Sequence, residues 1–384
     1  MKFIFIVQGE GRGHLTQAIS LYKLLKKNRH EVSKIFVGSS PNKVLPAFFT
    51  HEISTEIIQF ESPTLKYHPK SNRLSLSKTI FNGIVHCNTF IKSIKTIRQE
   101  IEKTDADIII NFYDVLGGLY NFFSNKSQIP FICIAHQYLL LDKSFPHPEK
   151  HFFEKHLVNL NTKLTALKAT KLLALSFREI ETTYPNLKIV PPLIRSEIHQ
   201  LKTDTQDFLL VYVSQHGLAE KIIHWHEKNP RVMIHCFWDK PQINEVVRHS
   251  NNLYFHRING EKFLDRMKSC KGLITTAGFE SVCEAMFLKK PVMMIPMPNH
   301  YEQICNAIDG EISGAGIKNN SFDIDTFIDY IPTYNADKHN FAQWQLKYES
   351  IFLNTFEEIA KEKQQNFSIN KSAQKPRFGT FSFE

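Results

Sequence analysis

No stretch of this 384-residue chain approaches the roughly 18 consecutive apolar residues of a membrane-spanning helix. Its first apolar run, Lys2 to Val7, is broken at Gly9 and is too short for a secretory signal. Cysteine is sparse: Cys87, Cys133, Cys236, Cys270, Cys283 and Cys305 are scattered and form no C-x-x-C pair. That spacing excludes a disulfide framework and reads as reduced thiols of a cytoplasmic protein. Histidine-rich stretches occur at 147–156 and 224–226, but neither has further ligands at zinc-site spacing, so no metal site is expected. The glycine register G-x-G-x-x-G of dinucleotide folds is also missing, which argues against a nicotinamide-dependent oxidoreductase.

What is present is a net charge of +9 and a repeated alternation of buried strands with amphipathic helices. The charge favours anionic partners or serves solubility alone. Phe3 to Val7 is apolar throughout, like a strand buried on both faces of a parallel sheet. It runs into Gly9-Glu10-Gly11-Arg12-Gly13-His14 and a helix from Leu15 to Lys27. Glycines at that point leave room for a ligand above the helix N-terminus, or simply make a structural turn. His14 is placed to act as a general base near neutral pH.

Further strands are expected at Glu31 to Gly38, Ile53 to Phe60, Asp107 to Phe112, Pro130 to Ala135 and Lys171 to Ser176, with a helix over 142–168. Asp114 follows one of these strands, on the edge that carries His14. It either orients the imidazole or caps the next helix. His136-Gln137 is a second polar pair at that edge. Residues 61–90 mix basic and aromatic side chains, which suits contact with an anionic membrane surface or a solvated helix face.

Pro191-Pro192 interrupts regular structure and marks a domain boundary. Beyond it the α/β rhythm restarts with a strand at Phe208 to Val213, the loop Ser214 to Gly217 and a helix from Leu218, so a second parallel sheet is expected. The richest stretch is Leu273 to Ala307: strand, turn at Ala277-Gly278, helix, second strand and a polar loop. A helix start of this kind holds a diphosphate on its free N–H groups.

The run Thr276-Ala277-Gly278-Phe279-Glu280-Ser281-x-x-Glu284, followed by Lys290-Pro291, Pro296 and Glu302-Gln303-x-x-Asn306-Ala307, resembles the donor signature of GT-B glycosyltransferases. The nearest likenesses are the peptidoglycan N-acetylglucosaminyltransferases and the UDP-glycosyltransferases. The Gly9 to His14 loop is similar to the acceptor-side loop of that family. The resemblance implies two Rossmann-like domains facing a cleft, at 1–190 and 207–335, joined by a linker at 191–206. A helix at 336–363 would cross back to the first domain. Beyond it, the polar composition of 364–384 reads as a disordered tail.

The resemblance also implies site roles. Ser214, Gly217, Thr276, Gly278, Phe279, Ser281, Glu284, His300, Glu302 and Gln303 would hold the donor, with Glu284 on the ribose and Glu302-Gln303 on the sugar. Gly11, Arg12 and Gly13 would lie on the acceptor side. His14 would be the catalytic base, with Asp114 placed beside it by its strand-end position. The expected activity is metal-independent, inverting transfer from a nucleotide diphosphate sugar, UDP-linked by this resemblance, with no other cofactor and no nucleic-acid partner. The acceptor is unnamed, with lipid-linked or polysaccharide acceptors suiting the basic segment at the inner face of a membrane. A sugar-nucleotide epimerase of the same shape and a non-catalytic nucleotide-sugar or polyanion binding protein are the alternatives.

Overall fold

The computed structural model describes residues 1–64, 85–213, 218–240 and 245–373. The apolar runs become two sheets, each of seven strands among the described residues. The first comprises β1 (Lys2–Gln8), β2 (Glu31–Ser39), β3 (Ile57–Glu61), β4 (Ile108–Phe112), β5 (Phe131–Ala135), β6 (Lys171–Leu175) and β7 (Leu187–Val190). Its order is β3-β2-β1-β4-β5-β6-β7 and every pairing is parallel. Phe3 to Val7 and Ile108 to Ile110 are fully buried, as strands covered on both faces must be.

The second sheet comprises β8 (Phe208–Val213), β9 (Met233–Trp238), β10 (Val246–Arg248), β11 (Leu253–Arg257), β12 (Gly272–Thr275), β13 (Val292–Met294) and β14 (Gly316–Lys318). Its order is β10-β11-β9-β8-β12-β13-β14. The expected parallel sheet has one exception, because the edge strand β10 pairs with β11 antiparallel. The three exposed residues of β10 carry no buried-strand pattern that the sequence could reveal.

Among the parallel strands the order reverses between β1 and β4 in the first sheet and between β8 and β12 in the second. Ligands of open α/β sheets bind in the crevice beyond the carboxyl ends of such strands. Helix α1 (Arg12–Lys27) starts beyond the end of β1, and Thr276 to Gly278 lies beyond β12.

The remaining helices are α2 (Ala47–Glu52), α3 (Cys87–Glu102), α4 (Val115–Phe123), α5 (Phe152–Thr165), α6 (Ala219–Lys228), α7 (Gly260–Ser269), α8 (Phe279–Phe287), α9 (Tyr301–Ile312), α10 (Ile324–Tyr330), α11 (Phe341–Leu346) and α12 (Tyr348–Ala373). Three expectations need correction. The strand expected from Ile53 begins only at Ile57, after α2. The helix expected over 142–168 is confined to α5: Pro146 and Pro148 lack N–H donors, and Asp142 accepts from the Ser144 N–H at 2.8 Å, holding a turn. The terminal helix is two helices that meet at Lys347, and the second continues past Gln364 to Ala373.

That terminal pair ties the halves together. Trp344 on α11 donates its indole N–H to the Ser176 carbonyl at 2.9 Å. On α12, Phe356 meets Phe3 of β1 edge-on at 5.3 Å and Glu349 pairs with Lys27 at 2.8 Å. One apolar cluster runs from Phe3 and Leu15 through Val190 to Leu273, Val282 and Phe356, so the core is continuous across both sheets.

Candidate active site

The Gly9 to His14 loop is pinned at its start. A Cβ on Gly9 would lie 2.7 Å from Val37 and 2.9 Å from the Gly38 carbonyl, so only glycine permits this approach. Glu10 accepts from the Ser40 N–H at 2.5 Å and from Lys43 at 2.9 Å. Gly11 faces open space, whereas a Cβ on Gly13 would come within 2.6 Å of Glu280. Arg12 lies over the Phe48 ring at 4.5 Å.

His14 occupies the first turn of α1, half-buried against the ring of Tyr113, with which it stacks at 5.3 Å. Tyr113 holds φ +62°, a strained setting for an aromatic residue that aims its ring from the end of β4. Burial lowers the pKa of the imidazole, which keeps it neutral at neutral pH. Its Nδ1 lies 3.3 Å from Gln17 Oε1, and Gln17 Nε2 donates to Glu280 Oε1 in a short contact.

Asp114 answers to the capping alternative. Its carboxylate is fully buried, accepts from the Gly117 N–H at 3.1 Å and caps α4. The hydrogen-bonded neighbour of the His14 ring is Gln17, not Asp114. The strand-end argument put Asp114 on the correct edge, but the helix start captured its side chain.

Across the cleft, Ala277 adopts φ +58° and Gly278 caps α8, with the turn held by Asn306 Nδ2 donating to the Ala277 carbonyl at 3.0 Å. Ser281 Oγ donates to the Gly278 carbonyl at 3.0 Å, and Thr276 lines the cleft beside them. Phe279 is largely withdrawn into interdomain packing, stacked on His136 at 4.0 Å and close to Phe177. His300 caps α9 by accepting from the Gln303 N–H, and Gln303 Oε1 accepts from the Met297 N–H at 2.9 Å. Glu302 accepts from Gln137 Nε2 at 3.0 Å. Ser214 and Gly217 lie outside the described residues.

Both oxygens of Glu284 are taken by Arg195, at 2.6 Å each, and the same guanidinium reaches the Gly260 carbonyl at 2.7 Å. Arg195 sits in the linker and gave no sequence signal. Gln17 did give one, standing three residues after His14 on one helix face. His14, Thr276, Gly278, Ser281, Glu284, His300, Glu302 and Gln303 all line a single cleft of about 1320 Å³. That exceeds the roughly 300–1,000 Å³ of ordinary ligand pockets and suits two substrates together. Burial pushes the Glu280 carboxyl up to about 7, and the charges of Glu302 and Glu284 add to the effect.

Two sheets that each present a ligand loop at a switch point, with one cleft between them, define a GT-B protein. The glycosyl transferase family 1 model matches residues 1–332, and the chain belongs to that family of glycosyltransferases. Solved structures agree on the fold. The glycotransferase of kitacinnamycin is 14% identical, with 95% of this chain and 98% of that chain covered at a TM-score of 0.61. MurG of Acinetobacter baumannii is 13% identical over 93% and 100%, at 0.56. UGT2 of Phytolacca americana, solved with UDP-2fluoro-glucose and pterostilbene, is 14% identical over 91% and 94%, at 0.57. A search of curated proteins gives no match. No helix among the described residues is long and apolar enough to cross a membrane.

Proposed function

We propose that this glycosyltransferase moves a sugar from a UDP-linked donor to an acceptor hydroxyl, with inversion and without a metal ion. The observation that carries the reading is a neutral His14 in the same cleft as the N-termini of α8 and α9. His14 takes the acceptor proton as the hydroxyl oxygen attacks the anomeric carbon from the face opposite the leaving group. The bond to the diphosphate breaks with its electron pair, and the charge that builds there is stabilised by free N–H groups in the first turn of α8.

Glu302 and Gln303 bind sugar hydroxyls, while Glu284 binds the ribose, sharing its carboxylate with Arg195. Gly11, Arg12 and Gly13 border the acceptor. The UDP-2fluoro-glucose in the structure of Phytolacca americana UGT2 supports the choice of base. A thermal-shift panel of UDP-, GDP- and dTDP-sugars tests the donor, because a ligand at 100 times its Kd adds about 2.7 kcal/mol of stability. A UDP-sugar should raise the midpoint most, and His14→Ala should lower kcat by about 10²–10⁴-fold. The reading is lost if no nucleotide sugar binds and His14→Ala turns over like the wild type.

On the acceptor side we propose a lipid-linked substrate met at an anionic membrane surface. Residues 65–84, the centre of the basic segment, lie outside the described residues. Among the described residues, Phe123, Phe152 and Phe153 are exposed on α4 and α5, near Lys126, Lys150 and Lys155 in the sequence. Sedimentation with phosphatidylglycerol vesicles at low salt should capture the protein, and high salt should release it. Protein left in the supernatant at low salt would rule out this contact.

A further inference from the structure

We infer that Gln17 and Glu280 are positioning residues for His14, a link by which the donor-binding helix fixes the tautomer of a histidine on the opposite domain. The inference rests on the reading of His14 as the base.

The argument is one of forced hydrogen-bond polarity. An ionised carboxylate only accepts, so the Gln17 group that faces Glu280 must be its NH₂. The amide oxygen of Gln17 must then face His14, which requires the proton of the neutral ring to sit on Nδ1. Nε2 is left with its lone pair, as a base needs. Gln17 is only 2% exposed, so water does not compete for either bond.

Two further features support the link. Gly13 admits the Glu280 carboxylate onto the first turn of α1, where a side chain would come within 2.6 Å of it. A carboxylate is favoured at that helix N-terminus. The glycine expected to make room for a ligand therefore makes room for a side chain of the other domain. Tyr113 stacks on the ring and limits its tilt, so Gln17 is left to set its polarity.

The groups that bear on Glu280 are Cys283 and Glu284 on its own helix, Glu302 on α9, Tyr212 on β8 and Gln17 on α1. The two other carboxylates and burial favour its protonated form, with a pKa of about 7. Protonation makes Glu280 able to donate, which frees Gln17 to turn over and releases the His14 tautomer. The base is thus oriented when the two domains are docked and Glu280 is ionised.

Long-range ¹⁵N–¹H spectra of histidine-labelled full-length protein read the tautomer directly, with the His14 signals assigned from His14→Ala. At pH 8 the wild type should show the proton on Nδ1. Gln17→Leu should lose that preference, giving an Nε2–H form or a mixture. The decisive variant is Gln17→Glu/Glu280→Gln, which exchanges the two groups at equal volume and so serves even where Gln17→Leu does not fold. It should restore the Nδ1–H form and raise the His14 pKa by about one unit, because a carboxylate then faces the ring directly.

An Nε2–H wild type, or an Nδ1–H form unchanged in Gln17→Leu, overturns the link. So does a swapped variant that neither restores the tautomer nor moves the pKa. Failure of the base reading looks different: the tautomer behaves as described while His14→Ala retains full turnover.

Discussion

At the scale of single residues, Asp114 has a measurable signature. Full burial pushes its carboxyl up to about 6 from an ordinary 3.8. The unfolded chain ionises this group from about pH 4 upward, whereas the folded protein holds the proton until about pH 6. Between those values the unfolded state binds fewer protons, so native stability falls as pH rises, and above pH 6 the cost is constant. A shift of about two units at 1.36 kcal/mol each sets that cost on the order of 3 kcal/mol. Asp114→Asn keeps an acceptor for the Gly117 N–H and removes the titration. Urea unfolding of both proteins at pH 4.5 and 7.5 isolates the residue. Because pH 4.5 already lies inside the window, the variant should gain about 2 kcal/mol of the full cost relative to the wild type over that interval. A difference that does not change with pH would mean that Asp114 ionises freely in the fold.

At the scale of elements, legibility followed how local the determining contacts are. β1, β4, β5 and β8 were readable because a strand buried on both faces must be apolar throughout, as Phe3 to Val7 and Ile108 to Ile110 are. The turn before α8 was readable because Gly278 and the apolar spacing of Phe279, Val282, Cys283 and Met286 signal a helix start within ten residues. β10 was not, since a short exposed edge strand carries no buried pattern and owes its existence to the neighbouring β11.

The bend at Lys347 was hidden for a related reason. Phe341, Trp344, Phe352 and Phe356 supply apolar residues on both sides of it, but Trp344 packs in one apolar cluster and Phe341, Phe352 and Phe356 in another. In the site, the glycine loop before His14 and the helix start at Gly278 were visible from local pattern, and the roles of Thr276 to Glu284 came from the family resemblance. Arg195 on Glu284, and Glu280 on Gln17, were not visible, because each pair joins residues far apart in sequence. For Asp114 two local signals competed, and the helix cap won over the strand-end position.

At the scale of the whole molecule, the question is whether the two sheets unfold together. The apolar cluster that spans them, the Arg178–Asp309 pair at 3.0 Å with its carboxylate fully buried, and the terminal helices all argue for one cooperative unit. Phe356 tests this, being fully buried on α12 with its ring against Phe3. Phe356→Ala removes a buried aromatic side chain and should cost about 3–5 kcal/mol. At about 2.1 cal/mol/K per residue, a chain of this length unfolds with an entropy near 0.8 kcal/mol/K, so that loss lowers a shared midpoint by about 5 °C. Were the N-terminal half to melt alone, its entropy would be roughly half as large and its midpoint would fall by about 10 °C, leaving the other half unmoved. Scanning calorimetry should show one transition in both proteins, displaced by the smaller amount. Two transitions in the variant, with only the lower one displaced, would show that α12 stabilises its own domain and that the continuous core does not couple the halves.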